Sequence, residues 1–144
     1  VSGVTTTPFS GVYCASKAAL HALSDALRLE LHPFGIKVLT VQPGAIASDF
    51  GNNATAAITM DESSWFKPWE KAVQARAKAS QKSTSTSALD FSRELMSYIK
   101  NPLRPEVALI GTSSRSMVRM KRWLPTSILD KQLRKRFGLD NSAG

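Results

Sequence analysis

Residues 11–42 constrain the fold of this chain more than any other stretch of its sequence. Apolar side chains over 11–31 recur with the 3.6-residue period of an amphipathic helix. Pro33 and Gly35 then favour a turn, and residues 36–42 are mostly apolar and rich in β-branched side chains, as in a strand buried within a sheet. A helix, a tight turn and a buried strand make up half of an α/β unit, so the sequence predicts an α/β fold.

Two apolar stripes run side by side along the predicted helix 11–31. One stripe is made mainly of small residues, and such a surface lets another backbone come close, so we expect a homodimer to be able to form through this helix. The other stripe is made of leucines. The small stripe comprises Val12, Ala15, Ala19, Ala22, Ala26 and Leu29, and the bulky stripe comprises Leu20, Leu23, Leu27 and Leu31.

The remaining elements are too few to complete a sheet. A second strand is predicted at 106–110, and helices are predicted over 69–82 and 88–100, with the Ser/Thr-rich stretch 83–87 as a loop between them. Two strands do not make a stable parallel sheet with helices on both faces. We therefore expect the chain to be part of a larger domain.

Length and composition exclude several classes of protein. The 144 residues fit within one domain, and a single Cys excludes both a disulfide framework and a cysteine-cluster zinc site. No apolar run is long enough for a conventional transmembrane helix, and no signal-peptide pattern opens the chain. We expect a cytoplasmic protein without a metal site, in which Cys14 is a packing residue and both His21 and His32 face solvent.

The positive charge is concentrated near the C-terminus. Residues 1–114 carry a net charge of only +2, whereas residues 115–137 hold eight Lys or Arg and one acid. A nucleic-acid-binding domain usually carries its charge on the folded body, so no nucleic-acid partner is expected. The pattern predicts two parts, a body over 1–114 and a basic segment over 115–144.

Pro125 divides the basic segment into two short helical patterns. Met117, Met120, Trp123 and Leu124 can share a side of the first pattern, and Leu129, Leu133 and Phe137 can share a side of the second. A basic amphipathic segment with Trp and Phe is typical of an element that lies on a membrane surface. A solvated tail, or a helix packed over a substrate pocket, would give the same pattern.

Tyr13 and Lys17 are the residue pair with the clearest chemical potential. A spacing of four places both side chains on one face of the predicted helix. A phenol is ordinarily too weak an acid for proton transfer at neutral pH, and a neighbouring ammonium group favours the phenolate. Such a pair can exchange a proton with a carbonyl or alcohol oxygen, although a pair defined by spacing alone is more often a surface contact than an active site.

The surroundings of this pair resemble a known active-site segment. The run Val12-Tyr13-Cys14-Ala15-Ser16-Lys17-Ala18-Ala19-Leu20, followed later by Val41-Gln42-Pro43-Gly44-Ala45-Ile46-Ala47-Ser48, is similar to that of the short-chain dehydrogenase/reductase family. The resemblance is close over residues 1–50 and looser as far as about 111. It implies that Tyr13 is the catalytic acid/base and that Lys17 holds the ribose hydroxyls of a nicotinamide cofactor and favours the Tyr13 phenolate.

The same resemblance assigns cofactor contacts to the loop after the predicted strand. Pro43 and Gly44 would form the turn that closes on the nicotinamide. The backbone of Ile46 would pair with its carboxamide, and Ser48 stands where the family often has a Thr that contacts the cofactor. By family habit the cofactor is NADP, with NAD left open.

Two features of the family are absent from this sequence. No Gly-rich turn for the cofactor pyrophosphate is present, and neither Ser2 nor Ser10 stands at the spacing of the family's catalytic Ser, which would fall just before Val1. We therefore expect the C-terminal half of a Rossmann-type, doubly wound parallel sheet with a basic amphipathic helical tail. Such a half is expected to be inactive by itself.

Residues 49–70 occupy the position of the family's substrate loop. The loop contains Phe50, Met60, Trp65, Phe66 and Trp69, which suggest either a lid over an apolar ligand or core packing. The resemblance implies hydride transfer between NAD(P) and a lipophilic carbonyl or alcohol, such as a steroid, a retinoid or an acyl-glycerone lipid. A non-enzymatic dimerisation module and a peripheral membrane-binding module are the alternatives.

Overall fold

The computed structural model describes residues 1–81 and 84–140, and this range folds into helices around two short strands. This mixture of helices with a parallel strand pair confirms the predicted α/β class. The elements in chain order are α1 (Gly11–Glu30), β1 (Thr40–Pro43), α2 (Phe50–Ala56), α3 (Glu70–Ala77), α4 (Ala88–Lys100), β2 (Val107–Ile110), α5 (Ser114–Trp123) and α6 (Thr126–Phe137), with single 3-10 turns at His32–Phe34, Lys67–Trp69 and Lys78–Ser80.

Helix α1 ends where the sequence predicts. Its last helical residue is Glu30, and the 3-10 turn His32–Phe34 follows directly. Gly35 closes that turn with a φ of +70°, a conformation that glycine adopts without the steric cost of a Cβ. The chain can therefore reverse within a few residues and enter β1.

Strands β1 and β2 form a parallel pair. Thr40 lies opposite Val107 and Pro43 lies opposite Ile110. The second strand confirms its prediction to within one residue, but the prediction of a strand over 36–42 is wrong for 36–39. A residue belongs to a sheet only if it has a hydrogen-bonded partner on the neighbouring strand. Val107, the first residue of β2, lies opposite Thr40, so residues 36–39 have no partner in β2.

The core enclosed by the described residues is small. Its buried apolar side chains are Cys14, Ala108, Ile110 and Leu129. The burial of Cys14 agrees with its predicted packing role. Both stripes of α1 lie largely open, with Val12 89% exposed, so their covering surface is not found among the described residues.

The segments around α3 and α4 follow the sequence pattern with one difference. Helix α4 matches its predicted bounds, and its first turn is capped by Ser87 Oγ, which accepts a hydrogen bond of 3.0 Å from Asp90 N. The helix predicted over 69–82 is shorter, because α3 ends at Ala77 and a 3-10 turn follows. Part of the predicted loop 83–87 lies outside the described residues.

Residues 1–5 run alongside α1 and α5. Thr5 Oγ1 donates a hydrogen bond of 3.4 Å to the Met117 carbonyl oxygen. Gly3 lies so close to α1 that an added Cβ would stand 2.6 Å from His21 Cε1. The prediction that His21 faces solvent is therefore wrong, since this approach leaves it half-buried, whereas His32 is exposed as expected.

Gly44 sits where the loops that follow β1 and β2 touch, and it provides a test of this packing. A Cβ at Gly44 would overlap the Thr112 carbonyl oxygen and lie 2.9 Å from Ser114 N, and neither backbone atom can move freely. We expect Gly44→Ala to lower the free energy of unfolding by about 1–3 kcal/mol in urea titrations of the full-length protein. Gly11→Ala is the control, because a Cβ there meets no atom within 4 Å. Equal stability of the two variants would contradict the close packing at Gly44.

His21 predicts a pH dependence of stability. Burial is the main reason that the pKa of His21 lies below its ordinary value of 6.5, so the unfolded chain binds a proton more readily than the folded chain. The free energy of unfolding should therefore fall as the pH drops below about 6.5, and His21→Gln should flatten that fall. Urea titrations over a pH series measure the slope, and His32→Gln should leave it unchanged. An unaltered slope in His21→Gln would show that another group causes the acid sensitivity.

Candidate active site

Helix α1 presents Tyr13 and Lys17 one turn apart near its first residue. Tyr13 is 38% exposed and Lys17 is half-buried. The Lys17 Nζ atom lies 5.5 Å from the centroid of the Tyr13 ring, within the range of a cation–π contact. The two side chains therefore lie together, as their spacing predicts, and the phenol remains accessible.

A hydrogen-bonded network holds the backbone just before Tyr13. Thr7 Oγ1 lies 2.8 Å from Ser10 Oγ, which also donates to the Thr7 carbonyl oxygen at 3.1 Å. Cys14 Sγ lies 3.6 Å from the same Ser10 oxygen. The hydroxyl of Ser10 is thus engaged in shaping the start of α1, and Ser10 stays without a catalytic assignment.

Arg76 ties this network to α3. Its Nε donates a hydrogen bond of 2.6 Å to Thr7 Oγ1, across 69 positions of sequence. The contact joins α3, which follows the predicted substrate loop, to the segment that leads into α1. Sequence reasoning misses Arg76 because a single arginine in a charged helix carries no spacing signal.

Pro43 and Gly44 are both predicted to contact the cofactor; Pro43 is the last residue of β1, and Gly44 begins the loop that follows. The Pro43 carbonyl oxygen accepts a hydrogen bond of 2.8 Å from the Val1 nitrogen. Gly44 donates its backbone N–H to the Ile110 carbonyl oxygen at 2.8 Å, and its missing side chain leaves room for Thr112. The absence of a side chain at Gly44 therefore permits a close approach between two protein loops, and its contact with the cofactor stays a prediction.

Ile46 has a backbone orientation that the sequence does not reveal. It forms an isolated parallel bridge with Thr86, in which Thr86 N donates to the Ala45 carbonyl oxygen at 3.0 Å and Ala47 N donates to the Thr86 carbonyl oxygen at 2.9 Å. In a parallel bridge of this kind the residue between the two bonded neighbours directs its own N–H and C=O to the opposite side. Ile46 therefore offers one donor and one acceptor away from Thr86, which is what an amide ligand requires.

Ser48 lies near the end of this loop, and Phe50, the first residue of α2, contacts Tyr13. Ser48 is exposed in the bend before α2. The ring centroids of Phe50 and Tyr13 are 5.8 Å apart, with the ring planes tilted by 42°. One member of the predicted aromatic lid thus lies at the candidate site, whereas Trp65 is 90% exposed.

The other aromatic residues of the lid pack against the chain itself. Phe9 contacts both Phe66 and Phe137 edge to face, at centroid distances of 6.2 and 5.9 Å. Phe66 also lies 6.4 Å from Trp69, whose Nε1 donates a hydrogen bond of 2.7 Å to the Gly138 carbonyl oxygen. Both residues therefore make contacts within the chain that include the end of α6, but Phe66 is 54% exposed and neither residue lies in a buried core.

The chemistry that the described residues supply at this site is proton exchange. Tyr13 offers a hydroxyl that can give or take a proton, beside the ammonium group of Lys17. Within residues 1–81 and 84–140, no cluster of three or more His, Cys, Asp or Glu could hold a metal ion. No helix in the same range is long and apolar enough to cross a membrane.

Comparison with known proteins gives several related enzymes. A short-chain dehydrogenase/reductase of Pestalotiopsis microspora is 32% identical over 131 residues, which are 89% of this chain and 49% of that protein. An NADPH-dependent 1-acyldihydroxyacetone phosphate reductase of Saccharomyces cerevisiae is 28% identical over 140 residues, 97% of this chain and 46% of that protein. A 3-ketodihydrosphingosine reductase of Bacteroides thetaiotaomicron is 49% identical over 53 residues, 37% of this chain and 20% of that protein.

These relatives are longer than the chain, which spans about half the length of the first two. No solved structure matches it. Residues 1–59 match the family model of short chain dehydrogenases, and this segment contains Tyr13, Lys17 and the loop from Pro43 to Ser48. Through that segment, the chain belongs to the short-chain dehydrogenase/reductase family, whose members are nicotinamide-dependent oxidoreductases.

Proposed function

We propose that this chain forms the acid/base half of an NAD(P)-dependent oxidoreductase that interconverts a carbonyl and an alcohol. The contact of the Lys17 ammonium with the Tyr13 ring, inside the segment that matches the family, is the observation that supports this most strongly. Tyr13 is accessible and Phe50 lies against it, so a substrate oxygen can reach the phenol beside an apolar surface.

Tyr13 acts on the substrate oxygen. When bound, a reduced nicotinamide supplies the hydride that adds to the carbonyl carbon. The Tyr13 hydroxyl donates its proton to the carbonyl oxygen, so that the alcohol forms and the tyrosine is left as phenolate. Lys17 stabilises this charge by proximity, and the reverse reaction uses the phenolate to remove the alcohol proton.

The residues of the chain fit a nicotinamide cofactor in part. The N–H and C=O groups of Ile46 are directed away from Thr86 and can pair with a carboxamide, and Ser48 is exposed for a further contact. The absence of a side chain at Gly44 contributes by letting the loop after β1 lie against Thr112. We favour NADP because the Saccharomyces relative is NADPH-dependent, and NAD remains the alternative.

A lipophilic substrate is the second part of the proposal. Phe50 provides an aromatic surface 5.8 Å from the Tyr13 ring. Two of the relatives are named for the reduction of an acyldihydroxyacetone phosphate and of a ketodihydrosphingosine, both of which carry long apolar chains. An apolar carbonyl compound of this kind agrees with an apolar approach to Tyr13.

A dimerisation module without catalysis is the other candidate, and the open surface of α1 is the observation that favours it. Leu20, Leu23 and Leu29 are exposed along this helix, and small residues lie beside them. Such a surface suits either a second copy of the chain or the rest of a longer domain. Loss of turnover on substitution of Tyr13 would exclude the purely structural role.

Tyr13→Phe tests the acid/base assignment. Removing the hydroxyl should lower kcat of the full-length protein at least about 100-fold, because the substrate oxygen loses its proton donor. Binding of NADPH, followed by its fluorescence, should be retained. Tyr98→Phe is the matched control, because Tyr98 is the other tyrosine and lies on α4. Turnover that survives Tyr13→Phe would refute this assignment.

Lys17→Met tests the role of the ammonium group in cofactor binding. Loss of a charged hydrogen bond of about 1.5–3 kcal/mol should raise the Kd for NADPH at least about tenfold. Lys71→Met on α3 removes an equal charge from an exposed position and should leave the Kd unchanged. If both variants bind NADPH like the parent protein, Lys17 does not hold the cofactor.

A further inference from the structure

The inner face of the C-terminal helices is occupied by the body of the protein. Leu129 of α6 is buried, and Phe137 packs edge to face on Phe9. The Trp69 side chain also bonds to the Gly138 carbonyl oxygen. The apolar side predicted for α6 is thus packed against the rest of the chain. Another molecule that binds to α6 must therefore contact the opposite side of the helix.

The outer face of α5 combines positive charge with exposed apolar side chains. Arg119 and Trp123 are four residues apart and share this face, and Arg122 lies beside them. Trp123 is 76% exposed, and the Arg122 guanidinium carbon lies 6.0 Å from the centroid of its ring. Met120 is exposed on the flank of the same face.

The outer face of α6 repeats this combination. Ile128 is exposed near the first residue of the helix. Lys131 and Lys135 follow it at intervals of three and four residues, so they lie on the same side, and both are exposed. This side is opposite to buried Leu129, which confirms that it faces away from the body.

Most of the charge on these helices is not neutralised by the described residues. Arg115 pairs with Glu94 at 3.2 Å, and Arg134 pairs with Asp140 at 3.1 Å. The basic side chains of α5 and α6 that have no acidic partner within 4 Å in the described part of the chain are Arg119, Lys121, Arg122, Lys131, Lys135 and Arg136. Charge complementarity therefore requires an anionic partner.

We propose that the outer faces of α5 and α6 dock on the surface of an anionic lipid bilayer. The basic face, as we name it, comprises Arg119, Arg122, Lys131 and Lys135 together with the apolar side chains of Met120, Trp123 and Ile128. Lysine and arginine attract anionic headgroups, and an exposed Trp is suited to the boundary between headgroups and acyl chains. This surface does not depend on the proposed catalytic activity.

Vesicle binding of the full-length protein tests the proposal. We expect partitioning onto vesicles of phosphatidylcholine with phosphatidylserine, little onto phosphatidylcholine alone, and a decrease with added salt. The triple variant Arg119→Ala, Lys131→Ala, Lys135→Ala should bind about fivefold more weakly for each charge removed. The triple variant Lys37→Ala, Lys71→Ala, Lys100→Ala loses the same charge from exposed positions elsewhere and should bind like the parent protein.

Trp123 supplies an independent readout that does not require loss of binding. Lipids brominated on their acyl chains should quench its fluorescence in the bound state, and Trp123→Phe should remove that part of the quenching. Equal binding to neutral vesicles, equal effects of the two triple variants, or no quenching at Trp123 would each overturn the proposal. Binding to DNA in preference to anionic vesicles would overturn it as well. Turnover of a water-soluble ketone, measured on the same variants, should be unchanged, which separates this test from that of the catalytic function.

Discussion

The close approach of two loops at the carboxyl ends of β1 and β2 determines most of the remaining geometry. Gly44 has no side chain, so the Thr112 carbonyl oxygen can occupy the space where a Cβ would lie. This contact directs the loop after β1 towards α1 and sets the start of α5 beside it. The loop that follows β1 and the first residues of α5 therefore share one packing contact.

Elements with a strong local signal could be predicted from the sequence. The period of α1, the turn at Gly35 and the period of α4 each depend on neighbouring residues, and neighbouring residues are what a sequence displays. The pairing of Tyr13 with Lys17 belongs to the same class, because helical spacing alone brings them together. The bounds of α1 and α4 agree with prediction for this reason.

Features that depend on distant partners could not be predicted. The extent of β1 follows from how far β2 reaches, and the contact of Arg76 with Thr7 spans 69 positions. Likewise, the orientation of the Ile46 backbone depends on its bridge to Thr86. The half-burial of His21 follows from the passage of Gly3 over α1, which no periodic pattern in the helix reveals.

The attachment of α6 to the aromatic cluster has a thermodynamic consequence. Phe137 touches Phe9, and Phe9 touches Phe66 within the predicted substrate loop. A ligand that shifts α6 also changes the free energy of packing Phe66 against Phe9. The effect is reciprocal, because linked equilibria share one coupling free energy.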